Sequence, residues 1–346
     1  MRSKRPIGRL RRAVPIPNAT IEISYTGDPD SVLETVSTDE NGQTPAVDLP
    51  APPVEYSMSP SENQPYSEYN LKIHSDEYKP VTISGAQILS GVEGLQPVSM
   101  IPEETHTPTE EHPIVIGPHT LWGNYPPKIA ESEIKPVNES GEIVLSRVVI
   151  PEYIIVHDGP VGDKTAQNYY VRYKDYIKNV ASSEIYPTWP EQAIRANVYA
   201  QMSYVLNRVF TEWYRAQGYD FDITNSTRYD QSFVPGRDIF ENISTIVDDM
   251  IGTYLTRGDS IEPLFTQYCN GTTVTCPGGL SQWGTVPLAE QGLSAEQIVQ
   301  SFYGSDVNFV TRAPLSPNLG GSFPGVTLRL GDVSEDVRTI QTRLNR

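Results

Sequence analysis

The sequence predicts a chain in two folded parts, a small all-β module followed by a larger α+β domain. Three observations carry this. Residues 19–101 hold short runs in which apolar and polar residues alternate, separated by turn signals, the pattern of half-buried strands. From Ala193 to Phe210, apolar residues instead recur at helical spacing. Between the two lies an acidic, Pro-rich stretch without periodicity, from Pro102 to about residue 147. A length of 346 residues fits two or three domains.

Composition narrows the function classes. Hydrophobic residues make up 38%, enough to build cores, and thirty prolines point to extended segments and β-rich parts. The net charge of −17 argues against a nucleic-acid partner, because such binding rests on neutralising phosphates with Lys and Arg. No apolar run approaches the roughly 20 residues of a membrane span. Arg2, Lys4, Arg5, Arg9, Arg11 and Arg12 crowd the start, but no apolar stretch follows, so this is read as a basic tail and not a signal peptide. The two cysteines, Cys269 and Cys276, could close one small loop or supply two metal ligands. Zinc would need two more ligands, and none of the five histidines lies near in sequence, so no metal and no cofactor are expected.

In chain order, Ala19–Tyr25, Val32–Val36 and Asn70–His74 read as strands, with a turn at Asp39-Glu40-Asn41-Gly42. Pro45–Pro53 is a Pro-rich edge segment, and Val81–Ile83 and Pro97–Met100 supply further strands, together suggesting an antiparallel sandwich. His74, on an alternating strand, is expected at the surface. The segment 102–147, with His106 and His112 in it, is expected to be extended, exposed and open to proteases. Val148–His157 and Tyr170–Tyr173 read as strands of the second domain, ended by turns or leading into the central motif. A second helix is expected over Ile239–Tyr254 and a strand over Ile261–Cys269. Ser294 should cap a helix over Ala295–Phe302, with Gln297 completing a capping box. Trp213 and Tyr214 should close the central helix, with Gly218 as its C-cap.

The chemistry is expected at Glu184. It is placed on a short connection between an apolar turn and the loop Tyr186-Pro187-Thr188-Trp189-Pro190, just before the long helix. Pro190 sits in the first helical turn, where a missing N–H costs nothing. A carboxyl held rigidly and partly dried in this way has a raised pKa and suits general acid work. The alternative role for Glu184 is to cap the following helix. Glu191 is the second carboxylate to consider, but it also fits the acidic preference of any first helical turn.

The run YIKNVASSEIYPTWPEQAIRANVYAQMSYVL resembles the core motif of the SpoIID family, in which a Glu precedes Trp-Pro and a helix rich in small residues. Ile223–Gln231 resembles the extended stretch that follows the helix in that family, and Gly279-Leu280-Ser281-Gln282-Trp283-Gly284 its closing Ser-Gln-aromatic-Gly motif. Together they cover about residues 150–310. The flanks are similar to those of the SleC-type spore cortex-lytic enzymes within the same family. Residues 1–101 resemble a transthyretin-like or carboxypeptidase-regulatory-like sandwich. Leu328–Asn345 resembles the opening helix of a peptidoglycan-binding domain, of which only that helix is read here.

The resemblance implies an α+β SpoIID-like catalytic domain over 148–312, a β-sandwich pro-domain over 1–101, an activation segment over 102–147, and a linker with a truncated wall-binding helix over 313–346. It implies a lytic transglycosylase acting on peptidoglycan glycan strands of the spore cortex, made as a precursor and released by an activating protease. Glu184 would be the single acid/base. Tyr229, Gln231, Ser281 and Gln282 would hydrogen-bond sugar groups, and Trp189 and Trp283 would stack on sugar rings, although the core is the more ordinary place for each of these aromatics. Two other classes stay open: a non-catalytic SpoIID-type glycan binder that enhances an amidase, and a structural wall-binding protein.

Overall fold

A computed structural model describes residues 14–103, 113–133 and 148–316. The basic tail, the acidic stretch with His106 and His112, most of the segment before Val148 and the C-terminal stretch expected to open a wall-binding module lie outside the described residues. No helix among the described residues is long and apolar enough to cross a membrane.

The N-terminal module is one mixed sheet. Its strands are β1 (Thr20–Tyr25), β2 (Asp28–Ser37), β3 (Ser67–His74) and β4 (Val81–Ile88). Two short strands follow, β5 (Gly94–Leu95) and β6 (Ile114–Val115). The sheet order is β2-β1-β3-β4-β6, antiparallel except for the last pair. The alternation in β1 puts Ile21 and Ile23 on the same face as Tyr69, Ile73 and Ile83, where Val47 and Leu49 of the Pro-rich segment pack. Among the described residues β1, β2, β3, β4 and β6 form a single sheet. Pro97–Met100, expected as a strand, forms none, and His74 is exposed.

A bulge sets the outer edge of this sheet. Tyr69 pairs with Ala86 and Asn70 with Ser84, so Gly85 is the extra residue, with φ at 89°. A Cβ there would lie 2.4 Å from the carbonyl oxygen of Ile116, whose own N–H donates to Ser84 O at 2.8 Å. Gly85→Ala is therefore expected to lower stability by about 2 kcal/mol, through left-handed backbone strain and loss of the β6 pairing. Urea unfolding checks this, and an unchanged midpoint would refute it.

The second domain begins with β7 (Tyr153–His157) and β8 (Asn168–Arg172). Two helices follow, α1 (Tyr173–Glu184) and α2 (Glu191–Phe210), the latter entered from Pro190 as its N-cap. Next come β9 (Ile223–Thr224), β10 (Ile239–Phe240), α3 (Glu241–Met250) and β11 (Tyr254–Arg257). The domain ends with β12 (Tyr268–Cys269), β13 (Leu280–Ser281), α4 (Gln282–Glu290), α5 (Ala295–Tyr303) and β14 (Val307–Val310). The helix α2 is buried from Ala196 through Arg208 without a break, so it is a central helix and not a one-sided surface helix. The capping box at Ser294 and Gln297 forms as expected.

Several boundaries differ from the sequence reading. Residues 173–184 form a helix, because Tyr173, Tyr176, Ile177, Val180 and Ala181 share one buried face. Glu184 is therefore the last residue of α1 and not part of a connection. The central helix stops at Phe210, and Gly218, at φ 87°, ends a separate short 3₁₀ turn. Only Tyr268 and Cys269 of the expected strand over 261–269 pair as β-structure. The Ser-Gln-Trp-Gly run opens a helix, with Ser281 Oγ accepting from Gly284 N at 3.0 Å.

The two parts are not joined by a bare tether. β5 pairs with β10, and Arg237 donates to Gln87 Oε1 at 2.5 Å and to Ser182 O at 2.9 Å. Trp189 Nε1 donates to Ser57 O at 2.9 Å. Tyr66 and Leu89 of the module belong to the large core of the second domain. Residues 113–133, expected to be exposed spacer, are also packed: Ile116 and His119 are buried, and the chain runs across the second domain.

Candidate active site

Glu184 lies at the end of α1, only 3% exposed. Its carboxylate accepts three hydrogen bonds, each from a different element. Ser232 N donates to Oε1 at 2.7 Å, while Tyr268 Oη and Gln201 Nε2 donate to Oε2 at 2.6 and 3.1 Å. Gln201 comes from the buried middle of α2 and Tyr268 from β12. Burial pushes the Glu184 pKa up, opposed by the nearby Lys128 charge and by these three donors. The C-terminal end of a helix also disfavours negative charge. Glu184 does not cap α2, whose N-cap Pro190 has no side-chain cap bond.

The partners are themselves held. Tyr268 Oη accepts from Gln231 Nε2 at 2.9 Å, and Gln231 Oε1 accepts from Tyr176 Oη at 3.0 Å. Gln282 Nε2 donates to the Glu184 carbonyl at 3.2 Å. The parallel pairing of β12 with β13 sets Tyr268 opposite Leu280 and Cys269 opposite Ser281, which brings Gln282 to the same place. A disulfide between Cys269 and Cys276 closes the loop between those strands. The pair is thus spent on a crosslink, and no group of three or more His, Cys, Asp or Glu suited to a metal ion occurs among the described residues. EDTA is expected to leave the melting temperature unchanged, while reducing the disulfide should cost about 2 kcal/mol of stability. A fall in melting temperature with EDTA, restored by zinc, would overturn the crosslink assignment.

The cleft in front of Glu184 is lined by Tyr125, Lys128, Thr227, Tyr268, Asn270 and Gln282, among others, and among the described residues Glu184 is the one carboxylate in its lining. Its volume is about 60 Å³, room for a few waters and not for a sugar.

The expected site residues divide. Glu184, Gln231 and Gln282 come together. Gln231 is fully buried and acts on Tyr268, so it is a positioning residue and not a sugar contact. Ser281 serves as the N-cap of α4. Tyr229 offers its carbonyl to Tyr204 Oη and Arg208, and its ring lies beside Arg228, outside the cleft lining. Trp189 and Trp283, 3% and 8% exposed, pack on each other with centroids 4.9 Å apart and on Tyr186. Both are core residues in this state, which removes them as sugar platforms. Glu191 pairs with Arg195 at the surface.

Sequence reasoning missed Gln201, Tyr268, Ser232 and Lys128. Gln201 carried a signal: an amide in the middle of a helix buried all round must have a partner. Tyr268 and Lys128 carried none, since their positions depend on pairings formed far along the chain.

Comparison of the chain with protein-family models gives no match. Comparison with curated proteins gives none either.

Proposed function

We propose that this protein is an enzyme that cleaves a glycan by general acid catalysis with a single carboxyl group. More particularly, we read it as a SpoIID-type lytic transglycosylase of spore cortex peptidoglycan, made as a precursor. The observation that carries the reading is Glu184: a buried carboxyl of raised pKa, fixed by Ser232, Tyr268 and Gln201, facing a cleft with no second carboxylate in its lining among the described residues. Hydrolases of glycosides ordinarily need two carboxyl groups on opposite sides of the bond. One suffices when the sugar supplies its own nucleophile.

In that reaction protonated Glu184 gives its proton to the glycosidic oxygen as the bond to C1 breaks. The resulting carboxylate then takes the proton of the C6 hydroxyl as that oxygen attacks C1. A 1,6-anhydro end forms, no water is consumed, and Glu184 is returned protonated. Tyr268 and Ser232 hold the carboxylate oxygens still through both steps, and Gln231 holds Tyr268.

Mass analysis of muropeptides from cortex fragments tests the reading. Anhydro ends are expected; reducing ends would mean a hydrolase, and no change a glycan binder or wall protein. The assay should include the full chain before and after limited proteolysis. Cleavage in the acidic Pro-rich sequence between residues 102 and 147 is expected to raise the rate. Equal rates before and after would defeat the precursor reading and leave the role of Glu184 standing.

A further inference from the structure

Residues 113–133 precede the domain that carries Glu184, yet they lie across its cleft. The first half is anchored by apolar contacts. Ile116 joins the core of the N-terminal module, and Leu121 and Trp122 pack on the large core. Thr120 donates through N and Oγ1 to Ser183 O, at 3.2 and 3.0 Å. The second half is held differently. Ile129, its large aliphatic side chain, is 42% exposed. In its place are polar contacts. Lys128 Nζ donates to Asp230 O at 2.5 Å and sits over the rings of Tyr204 and Tyr268, at 4.6 and 4.5 Å. Ile129 N donates to Arg228 O at 2.7 Å. The Glu131 carboxylate accepts from both terminal nitrogens of Arg208, at 2.8 and 2.6 Å, and Glu133 accepts from Arg257.

The charges are complementary to those of the site. The segment puts an ammonium into the cavity that holds the Glu184 carboxyl, and a carboxylate onto the Arg208 guanidinium beside it. We propose that residues 125–133 are an ionic latch that closes the Glu184 cleft from within the same chain, with Lys128 and Glu131 as the charged contacts at the cleft and Glu133 paired with Arg257 at its outer end. The latch rests on the reading above only for what it blocks. Closed, it leaves room for a few waters and not for a sugar, and the Lys128 charge opposes, without outweighing, the burial that favours the neutral Glu184 carboxyl. Arg208 is fully buried and Lys128 sits inside the closed cavity, so salt screens these contacts little and the latch is loosened by removing its charges.

Hydrogen–deuterium exchange on the full-length protein tests the latch without reference to activity. In Lys128→Met/Glu131→Gln, amide exchange over residues 125–133 should speed up by about tenfold, the effect of losing charged hydrogen bonds on a local opening. Exchange over residues 116–122 should stay unchanged. The single variant Glu131→Gln, which keeps an acceptor oxygen for Arg208, should show the same contrast to a smaller degree, and this arm decides if the double variant does not fold. Exchange in 125–133 that stays as slow as in 116–122 in both variants overturns the latch. Glycan cleavage measured on the same samples separates the two readings. An opened latch with no cleavage supports the latch and defeats the lytic function. Full cleavage by wild-type protein whose 125–133 segment stays protected defeats the latch and supports the function.

Discussion

Glu184→Gln is expected to abolish glycan cleavage, by on the order of 10²–10⁴-fold, and to leave the fold in place. The amide has the shape of the carboxyl but no proton to give. Its oxygen can keep the bond from Ser232 N. Its NH₂ then faces Gln201 Nε2 and Tyr268 Oη, both donors in the wild type. Gln201 can answer by turning its amide over, because its buried Oε1 has no hydrogen-bond partner. The net change in stability should stay within about 2 kcal/mol.

The sign of the pH effect follows from the same burial. The folded Glu184 pKa is raised, so its neutral form is the one the fold favours. That contribution is present below the unfolded pKa and is lost as pH rises through the folded value. Gln cannot ionise, so the variant should lose less stability than wild type as pH rises across that window. Wild-type cleavage should fall over the same window. Cleavage by purified, folded Glu184→Gln at near-wild-type rate would sink the assignment.

Local pattern exposed part of this protein and hid the rest for identifiable reasons. The strands β1, β3 and β4 were legible because one face of each is wet, which forces alternation. The helix α5 was legible because Ser294 and Gln297 write its start into four residues. Glu184 was legible as a residue but not as a helix end, since the buried face of α1 begins at Tyr173, inside a run that alternates like a strand. The two tryptophans were ambiguous by nature: an aromatic that stacks on a sugar and one that fills a core have the same sequence. The segment from Pro113 to Glu133 was misread as spacer because its hold depends on Arg208, Asp230 and Gln267, all far along the chain. Composition shows that residues 128–133 are mostly polar. It cannot report that the polar groups have buried partners.

Arg208→Met should be the most damaging single change for stability, at about 3–5 kcal/mol. The Arg208 side chain is fully buried. Its Nε donates to Asp230 Oδ1 at 2.8 Å, and its terminal nitrogens reach Glu131, Tyr204 Oη and Tyr229 O. The rings of Tyr204, Trp213, Tyr214 and Phe265 surround the guanidinium, with centroids 4.8–5.4 Å from its central carbon. Methionine fills much of the volume but leaves the Asp230 and Glu131 charges without their cation. Asp230 would keep Tyr214 Oη, Thr224 N and Thr224 Oγ1 as donors, which limits the loss without cancelling it. Because Gln231 follows Asp230 directly and holds Tyr268, the damage should also loosen the grip on Glu184. Adding Asp230→Asn and Glu131→Gln to Arg208→Met removes the stranded charges and should restore more than about 1 kcal/mol, a coupling that neighbours in one network show and distant sites do not. Urea unfolding of the single and triple variants measures both numbers. A loss below about 1 kcal/mol in Arg208→Met would mean that this charge cluster does not hold the domain together.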